Sequence, residues 1–134
     1  SILDLGTGSG ILAIAAEKFF KCPTYGIDID DDAVIVAKNH GLLNKSDAVF
    51  YNVQDFDALY GDKKFDLVIA NIFANTIIEL YDYIVKKQPK VIIMSGFFED
   101  QIPNILKRYQ EQYMTLNITK LNKWATLSLQ CIED

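Results

Sequence analysis

Apolar residues follow two alternating patterns along this chain. Short, nearly continuous apolar runs predict buried strands, and longer segments with apolar residues three or four positions apart predict amphipathic helices. Residues 55–64 carry the weakest pattern, and we expect them to form a loop or a short helix. The predicted strands cover residues 2–5, 25–29, 48–53, 65–70 and 91–94, and the predicted helices cover residues 11–20, about 33–43, 74–86 and 102–113.

The last segment of the chain departs from this alternation. Residues 113–120 and 124–132 are predicted to be two strands around the turn Leu121-Asn122-Lys123, which together form a β-hairpin. Strands that alternate with helices predict an α/β fold with a mostly parallel sheet and helices on both faces, and the hairpin adds an antiparallel edge. We expect one domain over residues 1–134 that begins inside its first strand, so that a preceding segment is missing.

Composition and charge exclude several classes of protein. The 134 residues are 50% hydrophobic and 23% charged, which is typical of a folded domain. A net charge of −5 disfavours a broad nucleic-acid surface, and no apolar run approaches the roughly 20 residues of a membrane span. Two distant cysteines and one histidine exclude the usual zinc frameworks, so we expect no metal site and a reduced, cytoplasmic setting. The abundance of Lys, Ile and Asn suggests an AT-rich bacterial genome.

A glycine-rich turn after the first strand carries the clearest chemistry. Gly6, Gly8 and Gly10 follow Asp4 in the spacing GxGxG, and Asp28 ends the predicted second strand 18 residues after Gly10. A carboxylate at that spacing can accept hydrogen bonds from both ribose hydroxyls of a nucleoside. The dinucleotide pattern GxGxxG is absent, and a carboxylate at position 4 would repel a pyrophosphate but suits a cationic amino-acid end. These features favour S-adenosylmethionine over a dinucleotide and over a plain tight turn.

The segment ILDLGTGSG, residues 2–10, followed by ILAIAA, resembles motif I of the class I methyltransferases that use S-adenosylmethionine. The resemblance implies a Rossmann-like fold with a seven-stranded sheet whose last two strands form a hairpin. It also implies which residues surround the methionine part of the cofactor: Asp4, Gly6, Thr7, Gly8 and Gly10.

The same resemblance implies contacts to the nucleoside. Asp28 matches the acidic residue that binds ribose in this family, and Ile29 would pack on the adenine. Asp55 matches the carboxylate that accepts from the adenine amino group, although a solvated loop aspartate remains the alternative at this position.

The fourth predicted strand leads into NIFAN, residues 71–75, where class I enzymes bring the acceptor to the methyl group. Many enzymes acting on planar nitrogens have two prolines after the Asn, but Ile72 and Phe73 stand there in this chain. Together with GIDID and SGFFEDQ, this segment resembles the PrmA family, whose members methylate amino groups of ribosomal protein L11. The resemblance implies an acceptor site at Asn71, Ile72 and Phe73, with Asn71 also close to the cofactor.

Amine methylation requires a free nitrogen lone pair, and lysine begins with a pKa near ~10.4. Burial and a nearby sulfonium charge lower the pKa of that amine, so positioning can supply much of the rate. The carbonyl oxygen of Asn71 is the expected positioning group, and the Ile72 carbonyl can assist. Asn75 is expected to shape the pocket or cap the next helix, Trp124 to pack in the core or at an edge, and His40 to have no catalytic role.

Three other interpretations remain open from the sequence. The chain can be a class I methyltransferase for another protein or a small molecule. It can be a cofactor-binding part that is inactive by itself, because members of the family carry a substrate-recruiting domain before the catalytic one. A dinucleotide-dependent oxidoreductase is disfavoured by the glycine spacing. The oligomeric state cannot be read from the pattern.

Overall fold

Residues 1–132 of the protein are described by a computed structural model. Within them, seven strands form a mixed sheet with the order β3-β2-β1-β4-β5-β7-β6. The pairs β1–β2, β2–β3 and β4–β5 are parallel, and β7 pairs antiparallel with both β5 and β6. The predicted mostly parallel sheet with an antiparallel C-terminal hairpin is therefore confirmed. The strands are β1 (Ile2–Leu5), β2 (Thr24–Asp28), β3 (Val49–Asn52), β4 (Leu67–Asn71), β5 (Val91–Phe98), β6 (Tyr113–Leu121) and β7 (Trp124–Cys131).

Helices connect most of these strands. None of the helices in the described part of the chain is both long and apolar enough to cross a membrane. The helices are α1 (Ile11–Phe20), α2 (Asp31–Leu43), α3 (Val53–Tyr60), α4 (Ala74–Glu79), α5 (Tyr81–Lys86) and α6 (Ile102–Tyr109), and a 3₁₀ turn at Glu99–Gln101 precedes α6.

The chain divides into two compact units, and the first comprises residues 1–65. In this unit α1 packs on β1 and β2, and α2 packs on β2 and β3. Alanines at the contact positions of α1 allow the helix to approach the sheet closely. The buried cluster between these elements contains Ala13, Ile14, Val34, Ala37, Ala48 and Phe50.

Side-chain caps explain where two helices of this unit begin. The Asp30 carboxylate accepts a hydrogen bond from the Asp32 N–H, so α2 begins two residues earlier than predicted. The Asn52 side chain accepts from the Gln54 N–H at the start of α3. The segment with the weakest sequence pattern is thus largely helical.

The second unit begins at residue 66, and its central strand is longer than predicted. The strand predicted at residues 91–94 continues as β5 to Phe98 through a β-bulge at Gly96, whose φ is 95°. Beyond the bulge, Phe97 pairs with Ala125 and Phe98 with Trp124. A glycine here permits the irregularity instead of ending the strand.

The predicted helices of the second unit are also divided differently. Residues 74–86 form two helices, because the backbone leaves the helical conformation at Leu80, where φ is −87° and ψ is 9°. The predicted helix 102–113 ends at Tyr109. The Tyr109 hydroxyl donates a hydrogen bond of 2.8 Å to the Ile77 carbonyl, which holds α6 against α4.

We predict that Gly26→Ala lowers the free energy of unfolding by about 1–3 kcal/mol through overpacking. An added Cβ at Gly26 would lie 2.6 Å from Phe50 Cδ1 and 2.6 Å from Thr7 Oγ1. Phe50 is buried and cannot move aside freely. Chemical denaturation of the variant measures the loss.

A double-mutant cycle tests the cause of this loss. Phe50→Leu removes part of the ring that the new Cβ would meet, so the cost of Gly26→Ala should be smaller in the Phe50→Leu background. Equal costs in the two backgrounds would show that contact with Phe50 is not responsible.

Candidate functional site

The glycine-rich turn has a backbone that side chains other than glycine rarely adopt. The φ angles are 72° at Gly6, 57° at Gly8 and 84° at Gly10, all in the left-handed region. Gly10 is also the residue that precedes the first turn of α1. Each glycine of the pattern GxGxG therefore occupies a position where the backbone requires a positive φ.

Hydrogen bonds hold this turn in one conformation. The Ile27 carbonyl of β2 accepts from the N–H groups of both Gly6 and Thr7, at 2.9 and 2.8 Å. The Thr7 hydroxyl donates to Asp4 Oδ2 at 2.8 Å, and the Gly8 N–H donates to the Asp28 carboxylate at 2.9 Å. The predicted cofactor residues of motif I are thus brought together with Asp28.

Asp4 is the buried carboxylate of the group, and its side chain faces the turn. Burial raises the pKa of Asp4 to about 6, and the Asp28 charge adds to the shift, while the hydrogen bond donated by Thr7 opposes it. Asp4 therefore fixes the Thr7 side chain at the turn, and its place beside the methionine part of the cofactor stays a prediction.

Asp28 keeps hydrogen-bonding capacity for a ligand. Its Oδ2 accepts from Gly8 N–H and its Oδ1 accepts from Asp30 N–H at 3.0 Å. An ionised carboxylate has about four acceptor positions, so each oxygen retains one. The side chain is half-buried, and the arrangement fits a carboxylate that accepts from two ribose hydroxyls.

The backbone of the turn is open at Gly8, and the two predicted adenine contacts lie on the surface. Among residues 1–132, no heavy atom outside Gly8 and its two chain neighbours lies within 4 Å of the position that a Cβ on Gly8 would take, so the backbone there is open. Ile29, the predicted adenine contact, is 85% exposed. Asp55 lies on the surface in the first turn of α3, and the hydrogen bonds that join the turn to Asp28 do not include it. Its role as an adenine contact stays a prediction.

In the second unit, the predicted acceptor residues lie against the bulge of β5. Asn71 ends β4, and the Ile72 N–H donates to the Ser95 carbonyl at 3.0 Å. A Cβ on Gly96 would lie 2.8 Å from Asn71 Oδ1 and 3.0 Å from the Ile72 carbonyl oxygen. The absence of a Cβ at Gly96 therefore leaves room for the Asn71 amide. The segments NIFAN and SGFFEDQ meet at this point.

A pocket of about 730 Å³ opens beside Asn71 within this unit. Phe73 is 77% exposed at its wall, and Trp124 is 52% exposed and stacks on Phe98 with ring centroids 4.5 Å apart. Apart from Asn71, the lining consists of Ile72, Phe73, Thr76, Ser95, Gly96, Thr119, Lys120, Leu121, Trp124, Ala125 and Thr126.

One prediction about this region needs correction, and another is narrowed. Of the core or edge packing expected for Trp124, the structure excludes the core, because Trp124 opens β7, is half-exposed and packs on Phe98 at the edge of the pocket. Asn75 does not cap α4, since the residue before the helix is Phe73 and Asn75 lies in its first turn, on the surface. It is also absent from the pocket lining among the described residues.

The contributions of Gly96 and of the hairpin were not predicted from the sequence. The Gln101 side chain accepts from the Phe98 N–H at 2.9 Å, which holds the residue that stacks on Trp124. Lys120, which lines the pocket, pairs with Glu99 at 3.0 Å. The sequence signal was SGFFEDQ, which carries the bulge and this cap together. No group of three or more Asp, Glu, His and Cys side chains placed to hold a metal ion occurs among residues 1–132.

Comparison with known proteins identifies the family. A family model described as ribosomal protein L11 methyltransferase (PrmA) matches residues 1–131. The chain belongs to the PrmA family. A ribosomal protein L11 methyltransferase of Caldicellulosiruptor saccharolyticus is 40% identical over 128 residues, which cover 92% of this chain and 41% of that protein. The chain thus spans about two fifths of this curated relative.

One solved structure agrees with this family, and another shows the same fold. The ribosomal protein L11 methylase of Lactobacillus delbrueckii subsp. bulgaricus superposes with a TM-score of 0.88 and 29% identity, covering 98% of this chain and 70% of that one. TrmK of M. capricolum, solved with S-adenosylhomocysteine, has a TM-score of 0.77 at 15% identity, covering 97% of this chain and 61% of that one. The second likeness shows a shared fold.

The raised pKa of Asp4 predicts a pH dependence of stability. Between about pH 4 and pH 6 the native state keeps a proton on Asp4 that the unfolded chain has released, so this group lowers stability as pH rises through that window. The full change corresponds to about 3 kcal/mol. Asp4→Asn abolishes this pH dependence. The melting temperature of the variant, relative to that of the native chain, should therefore rise from pH 4 to pH 7.

A second variant shifts the same transition. Thr7→Val removes the hydroxyl that donates to Asp4 and should raise the pKa of that carboxyl further, which moves the transition to higher pH. Calorimetric melting across the pH range measures both effects. Curves for Asp4→Asn that stay parallel to the native ones would contradict the assignment.

Proposed function

We propose that this protein transfers methyl groups from S-adenosylmethionine to amino groups of ribosomal protein L11, on a lysine side chain or the N-terminal amine. The observation that carries the proposal is the pocket beside Asn71, where the segments NIFAN and SGFFEDQ meet in a chain of the PrmA family. A ribosomal substrate implies action in the bacterial cytoplasm. The net charge of −5 suits a basic protein partner better than a nucleic acid.

S-adenosylmethionine is the proposed cofactor, with S-adenosylhomocysteine as its product. Support comes from the open backbone at Gly8, the spare acceptor positions of Asp28 and the solved methyltransferases with S-adenosylhomocysteine bound. In the proposed site the motif I glycines lie against the methionine part and Asp28 accepts from the ribose. When bound, S-adenosylmethionine would supply its methyl group to a nitrogen lone pair in an in-line displacement, in which the C–S bond breaks and S-adenosylhomocysteine is the leaving group.

The residues of the chain would bind and orient the amine. The Asn71 amide oxygen accepts one amine N–H, so that the nitrogen lone pair is aimed away from that bond. The Ile72 carbonyl, at the same bulge, is a second acceptor of this kind. Phe73 and Trp124 provide apolar walls for the aliphatic stem of a lysine. Such a site raises the rate mainly by positioning.

A second candidate function is cofactor binding without transfer. The chain spans 41% of a curated relative named as an L11 methyltransferase, so part of that protein has no counterpart among these residues. Saturable binding of S-adenosylmethionine together with no labelled methyl in L11 would favour this alternative. Good incorporation into another acceptor would instead change the proposed substrate.

Asn71→Ala is predicted to lower kcat for labelled-methyl transfer to L11 by about 100-fold, because the amine loses the group that orients it. The KM for S-adenosylmethionine should change by less than about threefold, since the cofactor cradle is intact. Scintillation counting of methylated L11 measures both constants.

Asn75→Ala is the matched control for this variant. It removes an equal side chain from the surface of α4, outside the pocket lining, and should leave both constants unchanged. Losses of equal size in kcat and in cofactor affinity for Asn71→Ala would contradict the positioning role.

Asp28→Ala is predicted to weaken binding of S-adenosylhomocysteine by about 10- to 100-fold, because it removes charged hydrogen bonds to the ribose. Titration calorimetry measures the dissociation constant. Asp28→Asn keeps one acceptor oxygen and should lose less. Asp32→Ala, which removes a nearby exposed carboxylate, should bind normally; equal weakening in that control would indicate a general charge effect.

A further inference from the structure

His40 contacts the glycine-rich turn from α2. Its Nδ1 lies 2.7 Å from the carbonyl oxygen of Ser9. Because a carbonyl oxygen only accepts, the imidazole must donate through an Nδ1–H group. The contact therefore excludes the neutral tautomer whose proton is on Nε2 and requires a proton on Nδ1.

This contact completes a clamp on the peptide bond between Ser9 and Gly10. The Gly10 N–H donates to the Thr7 carbonyl at 2.9 Å, while the Ser9 carbonyl accepts from His40. In a trans peptide the C=O and N–H groups point in opposite directions, and no cis bond occurs among the described residues. Rotation of this peptide would therefore break both hydrogen bonds at once.

The rest of α2 fits the turn on the same helix face. Ala37, His40 and Gly41 occupy positions i, i+3 and i+4, which share one side of a helix. A Cβ on Gly10 would lie 2.9 Å from Ala37 Cβ, and a Cβ on Gly41 would lie 3.3 Å from the Phe50 ring. This face of α2 therefore packs closely on the turn and on Phe50, and His40 adds a hydrogen bond to that packing.

We propose that His40 is a positioning residue of the cofactor site, acting through the Ser9–Gly10 peptide. The inference rests on the proposed function, because the turn it holds is the proposed cradle of the methionine part. The positive end of the helix dipole at the start of α1, which follows Gly10, favours an anionic group such as a carboxylate. A rotated peptide would reverse one dipole at this point and weaken that attraction. His40 itself touches neither cofactor nor acceptor in this role.

Titration calorimetry with S-adenosylhomocysteine tests the clamp in the full chain. His40→Ala should raise the dissociation constant about 5- to 10-fold, which is the size of one neutral hydrogen bond. His40→Asn should stay within about threefold of the native value, since its amide nitrogen occupies the place of Nδ1 and restores a donor of similar strength. His40→Gln, whose amide reaches the place of Nε2, should behave like His40→Ala.

Asn44→Ala is the control for loosening the end of α2. The Asn44 side chain donates to the His40 backbone carbonyl at 2.8 Å, so its loss weakens the same helix end without changing the contact to Ser9. The proposal expects normal binding in Asn44→Ala and a separation of the Asn and Gln variants. Equal weakening in all four variants, or native binding in His40→Ala, overturns it.

Nitrogen NMR of the native chain gives a second readout that needs no variant. His40 is the single histidine, so its ring signals are unambiguous. The neutral ring should carry its proton on Nδ1, and a proton on Nε2 overturns the clamp. A native chain that does not bind S-adenosylhomocysteine counts against the proposed function, while the position of this proton still decides whether the clamp exists.

Discussion

The hydrogen bond from the Gly8 N–H to the Asp28 carboxylate is the contact on which the first unit depends for its chemistry. It fixes the middle of the glycine-rich turn and the direction of the carboxylate at once. The Gly8 backbone that makes this bond has a left-handed φ, and the position that a Cβ would take on it is open. In the proposed cofactor site, the Gly8 backbone would therefore be the surface against the ligand and the Asp28 carboxylate the acceptor for its hydroxyls.

In the second unit the corresponding constraint is the bulge at Gly96. A positive φ there lets β5 continue to Phe98 and leaves room for the Asn71 amide and the Ile72 carbonyl. The continued strand sets Phe98 opposite Trp124, whose ring then lines the pocket. One glycine thus accounts for the polar group of the pocket and for its aromatic wall.

Much of the fold could be predicted from the sequence because its signals are local. Apolar runs located the strands, the GxGxG spacing matched three left-handed residues, and α1 has the predicted bounds. The break at Leu80 could not be predicted, since neither Gly nor Pro marks it. The length of β5 was underestimated because glycine both ends strands and forms bulges, and only the partner strand distinguishes the two.

The candidate site was predicted to a similar extent and for similar reasons. Motif residues such as Asp4, Thr7 and Asp28 are adjacent to the turn in sequence or follow it at a known spacing, and they are joined to it by hydrogen bonds. Trp124 and His40 are separated from their partners by 26 and 31 positions. Their contacts arise from strand register and helix packing, which a pattern along the chain does not specify.

The composition of the pocket explains why position 71 carries an amide in the proposed reaction. The described residues that line it include no Asp, Glu or His, and Lys120 there is paired with Glu99 outside the lining. A carboxylate at position 71 would stabilise the protonated amine and raise its pKa, which keeps the lone pair occupied. An amide oxygen accepts from the neutral amine without that charge. In the proposed reaction, asparagine would therefore orient the nucleophile while the apolar walls would favour its neutral form.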